Sequence, residues 1–232
     1  KSIAFRLGRV YSRRPLKKWP ILSLINFSSI VVLAPNMDNP VNDYSDAYQQ
    51  ACLLELRALK PGNVGYHSAG HGMTVEQFEL SAEVSAVPLF SSCSGVGKRI
   101  LKAVNATHDK VKDNTNLGII LLVAPIAETI VNGGNTKNLR DKLNEVLAGL
   151  SLNDAKYCYQ AIQRAMPGGM GKVDDQDISK DPSVSLLEAM QLSADKDRIA
   201  YQYTTGFSDI FEHNLPIYRK YIQKWDSQEW AA

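Results

Sequence analysis

The chain has 232 residues, of which 44% are hydrophobic, 22% charged and 8% aromatic. That length supports a hydrophobic core that needs no disulfides, and the composition excludes disordered, collagen-like and multi-span membrane proteins. The three cysteines share no CxxC spacing, which argues against a disulfide framework or a zinc ribbon and fits a reducing cytoplasm.

Charge is distributed unevenly along the chain, although the net charge is only +2. Residues 1–36 contain seven of the 26 basic residues and no acidic residue, so 19 basic and 24 acidic residues remain, a formal charge of −5. A body of that charge is not expected to bind nucleic acid. Residues 21–34 are apolar but too short for a membrane span, and no stable membrane association is expected. We expect residues 1–36 to be an extension upstream of a start at Met37, with a signal or transit segment as the alternative.

The first half of residues 37–232 is predicted to be helical from its apolar spacing. Residues 45–59 repeat apolar side chains near every 3.6 positions and are stopped by Lys60-Pro61-Gly62. Thr74 and Gln77 have the spacing of a capping box at the start of a second helix. Residues 97–105 form a third candidate.

The second half shows the same helical pattern. Leu117–Val131 is apolar enough to lie in the core, with Pro125 expected to kink it. A buried strand is the alternative for residues 117–123, but no second β-branched run could pair with it. Residues 136–150 are amphipathic, and the segment Ser151-Leu152-Asn153-Asp154 caps the next helix. Residues 184–213 and 216–225 are again helical. The predicted fold class is all-α: a single compact multi-helix domain with functional loops at its helix ends.

Polar and glycine residues gather in three loops, which is where a helical protein would carry a site. In the first, Glu55 is followed by Lys60-Pro61-Gly62-Asn63, and His71 comes soon after. A favourable cation and glycine at a helix C-terminus are the structural alternative for Lys60 and Gly62. In the second loop, residues 113–118 precede or begin the apolar helix. Their polar side chains are either ordinary N-caps or, together with the free amides of the helix start, a site for a ribose or a phosphate.

The third loop, residues 166–177, has three glycines within four positions but no Walker sequence. Its carboxylates Asp174, Asp175 and Asp177 suit a hard cation such as Mg²⁺ carrying a polyphosphate, and a solvated acidic turn is the alternative. The four histidines match no strong metal-ligand spacing, and no nucleophile elbow is present.

Taken together, the order and spacing of these loops resemble the triphosphoribosyl-dephospho-CoA synthase family. The resemblance covers residues 44–211. It rests on Leu54-Glu55 leading to Lys60-Pro61-Gly62-Asn63-Val64, His71-Gly72-Met73-Thr74 with Phe78 and Ser81-Ala82, Asn114-Thr115-Asn116-Leu117-Gly118, and Pro167-Gly168-Gly169. The later stretches Leu187-Glu188-Ala189-Met190 and Asp197-Arg198-Ile199-Ala200 also resemble the family's C-terminal half. Asn116 and Leu117 replace the family's His-Lys, and Gly72 replaces an acid. These departures indicate a divergent branch, whose acceptor is dephospho-CoA or a related molecule.

The resemblance implies an all-helical enzyme in which the 2′-hydroxyl of 3′-dephospho-CoA attacks C1′ of ATP and adenine departs. A nucleotide N-glycosidic hydrolase and a non-catalytic nucleotide-binding protein are the alternatives. The oligomeric state is not predicted. On this interpretation Glu55 and Lys60 are catalytic, Asp174, Asp175 and Asp177 hold Mg²⁺, and the nucleotide is bound by Gly62, Asn63, His71, Asn114, Thr115, Asn116, Gly168 and Gly169.

Overall fold

Helices make up nearly all of the regular structure in the computed structural model, which describes residues 40–57, 64–66, 73–92, 95–134, 137–165 and 181–220. None of these residues lies in a β-strand, so the all-α prediction is confirmed. The expectation for residues 1–36 lies outside the described residues. The helices are α1 (Pro40–Arg57), α2 (Val75–Phe90), α3 (Val96–Val111), α4 (Leu117–Val131), α5 (Leu139–Ala148), α6 (Leu152–Ala165), α7 (Leu186–Gln191) and α8 (Arg198–Thr204), followed by a π-helical segment, Asp209–Asn214.

The boundaries of the first helices follow local chemistry. Thr74 Oγ1 accepts from the Gln77 amide at 3.3 Å, and Gln77 Oε1 accepts from the Thr74 amide at 2.9 Å. The capping box predicted for α2 is therefore confirmed. Helix α1 begins at Pro40, five residues before the predicted start, because proline is favourable at a first helical position, where its missing N–H has no intrahelical partner. Helix α3 continues to Val111, well beyond the predicted residue 105.

Helix α4 is the centre of the core. It is surrounded by α2, α3, α5 and α8, and twelve of its fifteen residues are buried, so the helix predicted for this apolar segment is confirmed. Burial on all sides explains why the segment has no polar face. No helix within the described ranges combines the length and apolarity needed to cross a membrane.

Pro125 lies inside α4 without ending it. Because proline has no N–H, the carbonyl of Leu121 four residues earlier loses its usual helical partner. The hydroxyl of Tyr203 on α8 donates to that carbonyl at 2.6 Å, and Tyr203 is 1% exposed. A side chain from a distant helix thus satisfies the buried group that proline leaves unpaired.

Helices α3 and α6 approach each other closely at Gly97. A Cβ at this position would lie 2.4 Å from the backbone oxygen of Asp154, which is closer than real Cβ atoms come. The Gly97 amide donates to Asp154 Oδ1 at 2.9 Å, while Asp154 Oδ2 accepts from the amide and hydroxyl of Ser151. The absence of a side chain at Gly97 therefore allows the N-terminal end of α3 to pack against the N-terminal end of α6.

The C-terminal third is divided more finely than its apolar pattern predicts. The prediction of continuous helix over residues 184–213 is wrong, because α7 ends at Gln191 and α8 begins only at Arg198. Asp197 caps α8 by accepting from the Ile199 amide at 2.8 Å. Gly206 and Phe207, at φ +59° and +57°, then turn the chain out of the right-handed helical region. The cap at Asp197 and the positive φ values of Gly206 and Phe207 therefore interrupt the helix, although the apolar side chains keep a helical spacing through this region.

Candidate functional site

A buried polar network connects α1 and α2 to the loop before α4. We call it the serine network and define it as Tyr48, Ser81, Ser85, Thr115 and Asn116, all of which are at most 5% exposed. The Tyr48 hydroxyl lies 2.8 Å from Ser85 Oγ, and Asn116 Nδ2 donates to Ser85 Oγ and to the Ser81 carbonyl, both at 3.1 Å. Thr115 Oγ1 contacts Ser81 Oγ. The network fixes the loop that opens α4.

The proton directions in the serine network follow from its donors. Each serine has one hydroxyl proton, and Ser85 uses its proton toward the Ser81 carbonyl at 2.6 Å, so Tyr48 and Asn116 must donate to Ser85. Burial raises the pKa of Tyr48 well above its ordinary value and raises the pKa of the neighbouring Cys52 thiol to about 12. Both groups are therefore protonated at neutral pH, and Tyr48 remains a donor.

Asn114 and Asn116 have different roles at the start of α4. Asn114 Oδ1 accepts from the Leu117 amide at 3.4 Å, so Asn114 supplies the side-chain cap. Asn116 occupies the N-cap position itself but makes no side-chain cap bond. Because both N–H groups of the Asn116 amide are committed to α2, only its oxygen is left to accept from a ligand.

A pocket opens beside this loop, between α3 and the start of α4. Its empty volume, including the open mouth, is about 180 Å³. Apolar side chains contribute Val104, Leu117 and Ala165, and the polar lining residues are Thr107, His108, Asp113, Asn114 and Asn116. Thr107 Oγ1 and His108 Nδ1 are buried and have no hydrogen-bond partner among the described residues. The enclosed part of the pocket measures about 10 Å³, room for about one water molecule. The described residues therefore form a small cleft with apolar and polar walls.

Glu55 lies in the last turn of α1 and is half-buried. Tyr66 connects this end of α1 to α2, because its amide donates to the Leu56 carbonyl at 3.1 Å and its hydroxyl contacts Glu79. Since Tyr48 pairs with Ser85 further along α2, the two helices run antiparallel. Seven residues separate Tyr48 from Glu55, which places Glu55 on the same face of α1, about 10 Å along its axis. Glu55 therefore lies toward the end of α2 that also holds Ser81, the partner of Thr115.

The other predicted site residues belong to segments that the structure does not describe. These are Lys60, Gly62, Asn63, His71, Gly168, Gly169, Asp174, Asp175 and Asp177. Ala165, which lines the pocket, is the last described residue before the glycine and aspartate segment. Among the residues with described positions, no three His, Cys, Asp or Glu side chains are grouped as a metal site.

A second buried polar cluster holds the turn between α2 and α3. Arg99 is 0% exposed, and its Nε lies 2.5 Å from Glu128 Oε2 on α4. Its Nη1 donates to the carbonyls of Leu89 and Ser91 at 2.6 Å each. A buried charge pair satisfied in this way is a structural clamp, because breaking it would leave an uncompensated charge in the core.

Thr107 and His108 were not predicted as site residues, whereas Asp113 belongs to the second predicted loop but was given no role of its own. Thr107 follows Val104 by three residues and precedes Val111 by four, so it occupies a core-facing position of an amphipathic helix. A polar hydroxyl at a core-facing position is unusual, and it could have marked Thr107 as a candidate site residue. His108 gave no comparable signal, because nothing in the sequence shows that α3 runs alongside the loop that opens α4.

Comparison with known families places most of the chain in one of them. Residues 41–232 match the CitG family, which is described as ATP:dephospho-CoA triphosphoribosyl transferase. Searches of curated proteins and of solved structures found no match. The matched region contains every described helix except the first residue of α1, so it includes the serine network and the pocket.

Proposed function

The chain belongs to the ATP:dephospho-CoA triphosphoribosyl transferase family, and we propose that its substrates meet at the pocket beside the N-terminal end of α4. It is a transferase with triphosphoribosyl-dephospho-CoA synthase activity. The observation that carries the location is that Asn114 and Asn116, from the second predicted loop, line one opening together with Thr107 and His108 of α3. The serine network supports it, because a rigid loop holds substrate-binding groups in a fixed geometry.

The reaction requires a group that opposes positive charge. The 2′-hydroxyl of dephospho-CoA forms a bond to C1′ of ATP while the bond from C1′ to adenine breaks, and the sugar passes through an oxocarbenium-like state. A nearby carboxylate stabilises that charge or takes the hydroxyl proton. We assign this role to Glu55. Asp113, which lines the pocket, is the second candidate.

The triphosphate needs a counter-ion that the described pocket does not supply. None of its described lining residues is Lys or Arg, and one is Asp113. We propose that Lys60 and a Mg²⁺ ion accompany the triphosphate, with the ion bound by Asp174, Asp175 and Asp177. The binding groups Gly62, Asn63, His71, Gly168 and Gly169 belong to the same two segments.

Thermal stability gives a test of the metal that does not depend on turnover. ATP with Mg²⁺ at a hundred times its dissociation constant should add about 2.7 kcal/mol to the free energy of unfolding. ATP with excess chelator should add much less. Equal stabilisation under the two conditions would remove Mg²⁺ from the proposal.

The location of the site is tested by Asn114→Ser. Serine keeps an oxygen that can cap α4 but loses the amide donor, so the melting temperature should change little while ATP binding weakens. A matched control is Asn153→Ser, at an exposed asparagine near the start of α6. Calorimetry should show weaker ATP binding for Asn114→Ser alone. Unchanged ATP affinity in both variants would place the substrates elsewhere.

The proposal extends to the surroundings of the enzyme. The family acts on ATP and dephospho-CoA, and we propose no nucleic-acid partner, because the charge from Met37 onward is negative. We also propose a cytoplasmic location. Cys52 and Cys158 are free thiols, which suits a reducing compartment.

A further inference from the structure

The C-terminal ends of α3 and α6 meet beside the mouth of the pocket. The two helices are in contact near their starts, at Gly97. Near their ends, Arg164 Nη2 on α6 lies 2.9 Å from Asp109 Oδ1 on α3, so the helices run parallel. Asp109 follows His108 in the chain, Arg164 precedes Ala165, and both of these neighbours line the pocket. The ion pair between Asp109 and Arg164 therefore adjoins the pocket.

This ion pair is accessible to a ligand. The side chains of Arg164 and Asp109 are 47% and 60% exposed. The enclosed part of the pocket has room for about one water molecule, so a triphosphate can lie only at the open mouth, where these side chains are. Because an exposed ion pair contributes little free energy, Arg164 can exchange the Asp109 carboxylate for a phosphate oxygen at little cost.

A triphosphate at this mouth needs cations from the protein. The C-terminal end of a helix carries roughly half a negative charge, and both α3 and α6 end here. Asp113 adds a carboxylate, and none of the described lining residues is Lys or Arg. The cations must therefore come from residues just outside the lining. Arginine is suited to this role, because the parallel N–H groups of its guanidinium can donate to two oxygens of one phosphate.

Lys112 is a second cation at the mouth. It follows the last residue of α3 and has a φ of +62°, in the left-handed region where glycine is the favourable residue. Its side chain is exposed, and the next residue in the chain, Asp113, lines the pocket. Strained backbone of this kind is found preferentially at functional sites. A favourable cation at the end of α3 is the structural alternative.

We propose that Arg164 and Lys112 bind the triphosphate of ATP at the mouth of the pocket, and that a phosphate oxygen replaces Asp109 as the partner of Arg164. This inference rests on the proposed location of the substrates beside α4. The triphosphate stays intact while the bond between C1′ and adenine breaks. Both residues therefore bind the substrate and do not act on the reacting carbon, so their loss should raise KM and leave kcat nearly unchanged.

Arg164→Gln tests the phosphate contact. With the full chain and Mg²⁺, calorimetry should show ATP and inorganic tripolyphosphate both binding about tenfold to a hundredfold more weakly, because a hydrogen bond to a charged group is lost. Adenosine, which has no phosphate, should bind as it does to the unmodified chain. An equal loss of adenosine affinity would show that Arg164 supports the fold of the site and would contradict the phosphate contact.

Arg140→Gln is the matched control for Arg164→Gln. Arg140 also belongs to an exposed ion pair, with Glu212, and neither residue is next in the chain to a residue that lines the pocket. Its substitution removes the same charge, so ATP affinity should be unchanged. An equal loss of ATP affinity in Arg140→Gln and Arg164→Gln would indicate a general effect of net charge and would overturn the proposal.

Asp109→Asn should change ATP binding in the opposite direction. Arg164 then has no carboxylate to leave, so ATP affinity should rise by about twofold to fivefold. The same substitution in an Arg164→Gln background should give no such rise. Unchanged or weaker ATP binding in Asp109→Asn would contradict the exchange of partners.

Lys112→Gly separates strain from ligand binding. Glycine adopts the left-handed conformation without strain, so the melting temperature should rise while the affinity for ATP and for tripolyphosphate falls. A higher melting temperature with unchanged ATP affinity would remove Lys112 from the phosphate site.

The location of the substrates and the role of the cations fail in different ways. Equal ATP affinity in Arg164→Gln and the unmodified chain would overturn the proposed triphosphate site. If Asn114→Ser weakens ATP binding in that case, the location beside α4 stands and only the cation assignment fails. Unchanged ATP affinity in Asn114→Ser would overturn the location itself.

Discussion

Ser85→Ala should destabilise the protein through Tyr48. Ser85 Oγ accepts from Tyr48 and Asn116 and donates to the Ser81 carbonyl, and all of these groups are buried. Alanine removes the oxygen that accepts from the Tyr48 hydroxyl and leaves the Cys52 sulfur, a weak acceptor, beside it in a site where Tyr48 is 0% exposed. An unpaired buried donor costs about 1–3 kcal/mol. For a protein of this size we therefore expect the melting temperature to fall by about 2–12 °C.

A double-mutant cycle tests this reasoning. In a Tyr48→Phe background the hydroxyl is already absent, so Ser85→Ala should cost much less there than in the unmodified chain. Urea unfolding measures both steps, with Ser92→Ala at an exposed serine as the control. Ser85→Ala should also weaken ATP binding, because Asn116 loses an anchor, whereas Tyr48→Phe keeps the bond between Ser85 and Asn116. Equal costs in the two backgrounds would refute the assigned network.

Three further predictions concern single side chains. Tyr203→Phe should lower the free energy of unfolding, measured in urea, by about 1–3 kcal/mol. The loss should be smaller in a Pro125→Ala background, where alanine restores an N–H that can donate to the Leu121 carbonyl. Equal losses in the two backgrounds would refute this role of Tyr203. Hydrogen bonds from the amide and hydroxyl of Ser185 lower the pKa of Glu188 below 4.5. The stability that the ionised Glu188 contributes is present above pH 4.5 and is lost as the pH falls through its lowered pKa. In Glu188→Gln the melting temperature should therefore fall less steeply as the solution is acidified. An equally steep fall in both proteins would contradict this role of Glu188. Glu55→Gln should abolish adenine release, followed by chromatography, while ATP binding is nearly unchanged. Activity within a few-fold of the unmodified chain would move the carboxylate role to Asp113 or to the 174–177 segment.

Local signals in the sequence predicted the helices well where capping and apolar character agreed. The Thr74 capping box and the Leu117–Val131 core helix show this. The C-terminal third was predicted less well, because the apolar stripe continues through residues that break the helix. Asp197 caps a new helix, and Gly206 turns the chain with a positive φ. Periodicity does not distinguish one long helix from two short helices in register.

The candidate site was predictable only in part. Asn114, Thr115 and Asn116 were found from their position before an apolar helix, but no local pattern indicated that both amide N–H groups of Asn116 would donate to α2. Thr107 and His108 join the site through the packing of α3 beside the start of α4. Such tertiary contacts depend on helices distant in sequence, so a pattern within one segment cannot reveal them.

If this chain transfers a triphosphoribosyl group from ATP to dephospho-CoA, mass spectrometry of the products formed from ATP, Mg²⁺ and dephospho-CoA will detect both products of the transfer. We expect one free adenine for each dephospho-CoA that gains a triphosphoribosyl group, with both products lost in Glu55→Gln. Free adenine with unmodified dephospho-CoA would identify a hydrolase, and no adenine at all would identify a nucleotide-binding protein; each result would contradict the account.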